Sequence, residues 1–156
     1  MVKRILTAAI FCLFLCVNAG AEMVSFYIIE TGVQEDGREN QHSVFWESAF
    51  LDVFFDAGHI VSNAPILQME NKPSGDILRQ VNMHEVKNAG IDFIIIAQLD
   101  YNSAVSPAEM SFFVYRINPK EKIFERKVEG RPSRPARDEY EFMKSIARGL
   151  ITYVRD

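Results

Sequence analysis

Asn88-Ala89-Gly90-Ile91-Asp92-Phe93-Ile94-Ile95-Ile96-Ala97-Gln98-Leu99 is the stretch that decides the fold, and from Phe93 to Ala97 it is apolar at every position. A strand with one wet face alternates apolar and polar residues. An unbroken apolar run therefore belongs to a strand covered on both sides, the place of a central strand in a sheet packed by helices. The residues before it read as helix. Asp76 starts a stretch through Ile77-Leu78-Arg79-Gln80-Val81, which continues or restarts through Glu85–Ala89 and ends at Gly90. Glycine can take the left-handed conformation that closes a helix.

Working outward, Val24–Glu30 is short, β-branched and aromatic, and reads as a first strand. An acidic loop follows from Thr31 to His42. Ser43 is placed to cap a helix that runs to Ala57 and is closed by Gly58. At 100° per residue Trp46, Ala49, Phe50, Val53, Phe54 and Ala57 share one wide face, which is core. Val44, Leu51 and Phe55 form a second stripe nearly opposite. Left in water that stripe is a solubility liability, so something must cover it, either the last helix of the chain or a partner. His59–Ala64 is a second strand stopped by Pro65, and a loop to Gly75 follows.

Downstream, Asp100–Glu109 reads as a loop and Met110–Ile117 as a strand. The turn Asn118-Pro119-Lys120-Glu121 folds Lys122–Val128 back beside it. Arg126 and Lys127 suit an edge, where charge discourages pairing with another sheet. Gly130–Arg137 is a linker. Asp138 starts a final helix with Phe142, Met143, Ile146, Ala147, Leu150 and Val154 at helical spacing, and Asp138, Glu139 and Glu141 suit its positive end. The order β-α-β-α-β-β-β-α predicts a single α/β domain of the α+β kind, a small mixed sheet packed by helices.

The beginning of the chain reads as a targeting segment. Lys3-Arg4 precedes the apolar run Ile5–Val17, and Ala19-Gly20-Ala21 offers a cleavage site before Glu22. Residues 1–21 are expected to be a signal peptide and 22–156 the mature domain, periplasmic or otherwise exported and soluble once cleaved. Retention as an anchor helix is the alternative. Cys12 and Cys16 both fall in the leader, and neither follows the small residue that lipidation requires. Without residues 1–21 there remain fifteen basic and twenty-one acidic residues, a net −6. That charge disfavours nucleic acid and anionic membranes as partners.

Gly58-His59-Ile60-Val61 and Ala89-Gly90-Ile91-Asp92, with the strand after it, resemble a group of bacterial envelope domains. The group comprises the amino-terminal domain of the periplasmic Tol propeller protein, the lipoprotein activators of penicillin-binding proteins and the curli-secretion lipoprotein. The resemblance spans roughly Val24 to Val154 and implies a non-catalytic adaptor that docks to other envelope components. Neither cysteine is a usable lipobox cysteine, and neither a second domain nor a propeller is expected from these residues, so no functional residue carries over.

Reactive groups are sparse. His42-Ser43 with Asp52 behind them could form a base, nucleophile and acid, but sequence neighbours point apart at a helix start and Ser43 already serves as a cap. His42, His59 and His84 lie in three elements without metal-ligand spacing. Glu30, Asp92 and Asp100 sit at strand ends, where carboxylates usually face water. No catalytic residue, cofactor or metal is expected. The interaction residues expected are Val44, Leu51 and Phe55, and from the basic hairpin and linker Lys122, Arg126, Lys127, Arg131 and Arg134. They would meet a protein partner in the cell envelope or a second copy. The alternative is a small-ligand or hydrolytic domain with loops 31–42 and 100–109 as its pocket.

Overall fold

The computed structural model describes residues 21–32, 40–102, 106–130 and 135–155. The apolar leader with its two cysteines, most of the acidic loop and the linker residues Arg131 and Arg134 lie outside the described residues. The elements are β1 (Met23–Thr31), α1 (Gln41–Asp56), β2 (Ile60–Asn63), β3 (Leu67–Met69), a 3-10 turn (Ile77–Gln80), α2 (Met83–Asn88), β4 (Phe93–Asp100), β5 (Glu109–Arg116), β6 (Glu121–Glu129) and α3 (Ala136–Ile151). They form one α+β domain around a mixed six-stranded sheet.

The sheet runs β2-β1-β4-β5-β6, with β3 also against β1. β4 is central. It pairs parallel with β1 from Val24↔Phe93 to Thr31↔Asp100 and antiparallel with β5 from Phe93↔Arg116 to Asp100↔Glu109. Its residues from Phe93 to Ala97 are buried, as the unbroken apolar run requires. β6 is an edge, again as its charges suggest.

β3 lies in what reads as a loop in the sequence. It and β2 flank the two halves of β1, Ile60–Asn63 against Met23–Phe26 and Leu67–Met69 against Ile29–Thr31. They amount to one edge strand interrupted around Pro65, which has no N–H to give to a ladder.

α1 and α3 cover one face of the sheet. Trp46, Ala49, Phe50, Val53 and Phe54 of α1 meet Phe26, Phe93, Phe112 and Val114 of the sheet and Met143, Ala147 and Leu150 of α3. Aromatic rings dominate: Phe26 stacks on Phe50 at 5.2 Å, and Trp46 lies 5.1 Å from Phe112 and 6.0 Å from Phe142. The 3-10 turn and α2 cover the other face through Ile77, Leu78, Val81 and Val86, packed near Ile29, Ile94, Ile96 and Tyr115.

Both helix-to-strand turns close in the same way. Gly90 has φ +70°, its N–H donates to the Lys87 carbonyl, and the Ile91 N–H donates to the Val86 carbonyl. Gly58 at φ +89° repeats the pattern after α1. These paired bonds satisfy the last carbonyls of each helix and need a residue at ease with positive φ. Asp92 then fixes the register: its carboxylate accepts from the Met23 N–H at 2.9 Å and its own N–H donates to the Met23 carbonyl at 2.9 Å.

The start of α1 differs from expectation. Asn40, extended at φ −71° and ψ 132°, is the cap, and its side chain accepts from the His42 N–H at 3.0 Å. Ser43 lies one turn further in, fully buried, and shares a hydrogen bond of 2.8 Å with the Tyr101 hydroxyl.

Candidate functional site

Parallel strands in an α/β sheet present their carboxyl ends as a natural place for a site, because the connections diverge there. In this chain β1 leads to α1 on one face and β3 leads to the 3-10 turn and α2 on the other, so the connections part beside the ends of β1 and β3. Polar side chains gather at that end.

Glu30, at the end of β1, is fully buried. This corrects the expectation that strand-end carboxylates face water. Its two oxygens accept from the Asn40 N–H at 3.1 Å and from the Gln68 side chain at 2.9 Å, so it ties the entry of α1 to β3. Such pairing is what allows a carboxylate to leave water. Asp100, at the end of β4, receives the Lys72 ammonium at 2.8 Å, and the same nitrogen reaches Glu109 at 2.8 Å. Lys127 also pairs with Glu109. The bond from Lys127, followed by that from Lys72, holds Glu109 below the ordinary glutamate range, and Asp100 first and Glu109 second hold Lys72 above the lysine range. Tyr101 is buried, and desolvation pushes its hydroxyl far above the ordinary tyrosine range despite the bond from Ser43.

His42 stands beside this floor, in the first turn of α1. Its Nδ1 lies 3.0 Å from Oε1 of Glu139 in the first turn of α3. Its Nε2 lies 3.4 Å from Oγ of Ser106, in the connection between β4 and β5. The side chains of His42 and Glu139 are only 14% and 18% exposed. Among the described residues Ser106 thus approaches His42, and the Tyr101 N–H donates to the Thr31 carbonyl at 2.9 Å. The constellation weighed in the sequence, His42-Ser43-Asp52, is not assembled: Asp52 lies about 15 Å further along α1. There it accepts from the Tyr140 hydroxyl at 2.8 Å and pairs with Lys144 at 3.1 Å. Those two bonds, Tyr140 first, lower the Asp52 pKa, while burial and then the Asp52 bond push Tyr140 up to about 12. Ser106 and Glu139 escape sequence reading because only tertiary folding sets them beside His42.

The other histidines stay apart. His84 is exposed and hydrogen-bonds Asn88 at 3.2 Å. His59 is buried against the Phe54 ring, and neither ring nitrogen has a hydrogen-bond partner. Among the described residues no three His, Cys, Asp or Glu side chains gather to hold a metal ion.

The expected interaction residues divide. Val44 and Leu51 are half-buried, Leu51 packed against the core that α3 completes, whereas Phe55 is 70% exposed. On β6, Lys122 pairs with Glu125 and lies 5.9 Å from the Phe113 ring centre, and Lys127 pairs with Glu109. Arg126, paired across the ladder with Phe112, faces the α3 side instead, where it lines a groove of about 100 Å³ with Phe124, Gly149 and Tyr153. A wider hollow of about 510 Å³ lies between Asp76, Tyr115, Lys120 and Lys122, and there the Tyr115 hydroxyl donates to Asp76 at 2.8 Å.

A family model described as "Uncharacterised protein" matches residues 24–114. No curated protein matches the chain. Among solved structures it is similar to TolB from Acinetobacter baumannii, with 10% identity and a TM-score of 0.47 over 86% of this chain and 28% of that one. It is similar also to the PelC dodecamer from Paraburkholderia phytofirmans, with 9% identity and a TM-score of 0.47 over 86% of this chain and 88% of that one. Protein XCC0632 from Xanthomonas campestris follows with 10% identity and a TM-score of 0.41 over 85% of this chain and 82% of that one.

Proposed function

The chain belongs to the family of uncharacterised proteins whose model spans residues 24–114, and we propose that it is an exported interaction domain of a bacterial envelope assembly. Export is supported by Lys3-Arg4, the apolar run Ile5–Val17 and Ala19-Gly20-Ala21 before Glu22. No helix among the described residues is long and apolar enough to cross a membrane.

The observation that carries the interaction reading is the contrast between the two sheet edges. β6 bears Glu121, Lys122, Glu125, Arg126, Lys127 and Glu129, which guard it. Residues 60–69 bear no charge, and Ile60 and Leu67 on this edge are 54% and 39% exposed. Phe55 stands open on the last turn of α1, the helix packed beside β2. The partner is an extended, uncharged segment of another polypeptide that adds a strand beside β2 and β3, its backbone meeting theirs and its alternate side chains flanking Ile60 and Leu67.

Panning a random peptide library against the purified protein tests this. Enriched peptides should be apolar at alternate positions and should be lost with Ile60→Asp or Leu67→Asp, both surface changes that leave the melting temperature unchanged. A folded protein that enriches no such peptide refutes the reading. Sedimentation of the same variants separates a second copy from a foreign partner.

A further inference from the structure

The groove between β6 and α3 joins an apolar hollow to an unbalanced positive charge. Phe112 and Leu150, both buried, lie beneath it, and Phe124 and Tyr153 wall it with rings 4.3 Å apart. Tyr153 is 38% exposed there. Arg126 stands at the groove, and the ladder explains why its charge is not cancelled. Phe124 and Arg126 pair with Val114 and Phe112, which belong to the core under α1 and α3, whereas Glu125, Lys127 and Glu129 pair with Phe113, Ser111 and Glu109 and so project from the opposite face. Lys122 and Lys127 have carboxylate partners. On α3, Arg148 and Glu141 pair with each other at 3.7 Å. Arg126 has no ion-pair partner among the described residues.

Gly149 makes the groove more than a packing flaw. It lies within α3, where glycine weakens a helix relative to alanine. A methyl group built on it meets no atom within 4 Å, so no neighbour requires its absence. What the missing side chain leaves is open space in the groove.

We propose that this groove captures the carboxyl-terminal residue of another polypeptide, an apolar side chain entering beside Gly149 and the terminal carboxylate resting on Arg126. The guanidinium fork matches a carboxylate with two parallel hydrogen bonds. A space of about 100 Å³ suits one apolar side chain and not an acyl tail, since a cavity of roughly 150 Å³ holds a single benzene. Ser145 beside it donates its hydroxyl hydrogen to the Phe142 carbonyl at 2.7 Å, which leaves its oxygen able to accept the N–H of the same terminal residue. The last turn of α3 presents partial negative charge, so the preference for an anion rests on Arg126. β6 and β2 are opposite edges of the sheet, so this site stands or falls independently of the strand-addition reading.

Two pools of acetylated random pentapeptides ending in Leu, Ile, Val or Phe, one with free carboxylates and one amidated, are passed over the immobilised full-length protein. The free-acid pool should be retained about tenfold more strongly or better, the worth of a hydrogen-bonded ion pair. Arg126→Gln should bring it down to the level of the amides. Gly149→Leu should fill the groove and lose retention of both pools, while melting no lower than the wild type because leucine favours helix. Equal retention of the two pools by the wild type, or free-acid retention that survives Gly149→Leu, overturns the proposal. Co-sedimentation with anionic phospholipid vesicles that Gly149→Leu abolishes, with neither peptide pool retained, assigns the groove to lipid and overturns it as well.

Discussion

His59 shows how burial alone sets the behaviour of a single group. It is 7% exposed, and neither ring nitrogen has a hydrogen-bond partner. Desolvation, aided by the nearby Arg155 charge, depresses its pKa below the ordinary 6.5. The unfolded chain therefore takes up the proton first. The stability that depends on a neutral His59 is whole above pH 6.5 and drains away as the pH falls toward the lower folded value. We expect the urea midpoint of the wild type to drop between about pH 7 and pH 5, and His59→Leu to flatten that fall and raise the midpoint at pH 5. An unchanged pH profile in His59→Leu would contradict this. Nothing in the sequence separated His59 from His42 and His84, because all three are isolated histidines until the fold buries one, pairs one and exposes one.

At the scale of elements, the helix spacing and the unbroken apolar run carried most of the information. The face of α1 from Trp46 to Phe54 and the closing glycines were legible because periodicity and positive φ are local properties. The cap of α1 was not. Asn40 and Ser43 are both good caps, and the choice was made by Tyr101, a distant residue whose buried hydroxyl needs Ser43. Asn40→Ala should accordingly cost about 1 kcal/mol, the usual worth of a cap. Ser43→Ala should cost about 1–3 kcal/mol, because it leaves the Tyr101 hydroxyl buried without a partner. Chemical denaturation of both variants checks the pair, and a neutral Asn40→Ala would return the cap to Ser43. β3 escaped notice for a different reason: three residues beside a proline carry no pattern, and only β1 makes them a strand.

For the whole molecule, α3 is the element that makes the domain one unit. Met143, Ala147 and Leu150 are buried against α1 and the sheet, and the lone tryptophan, Trp46, sits 6.0 Å from Phe142 at that junction. Met143→Ala or Leu150→Ala should cost about 2–5 kcal/mol each, a large share of the roughly 5–15 kcal/mol that holds a domain of this size. Unfolding followed by Trp46 fluorescence and by far-ultraviolet dichroism should stay coincident. A tryptophan transition that precedes the loss of secondary structure would mean that α3 detaches by itself. By itself the sequence determined the α+β class, the central place of β4 and the inward face of each long helix, since apolar periodicity dictates which surface must leave water. Only the tertiary structure decided that Glu30 is buried, that Leu51 is half covered while Phe55 is bare, and that Ser106, His42 and Glu139 stand together. Those outcomes depend on contacts between residues far apart along the chain, and no local pattern encodes them.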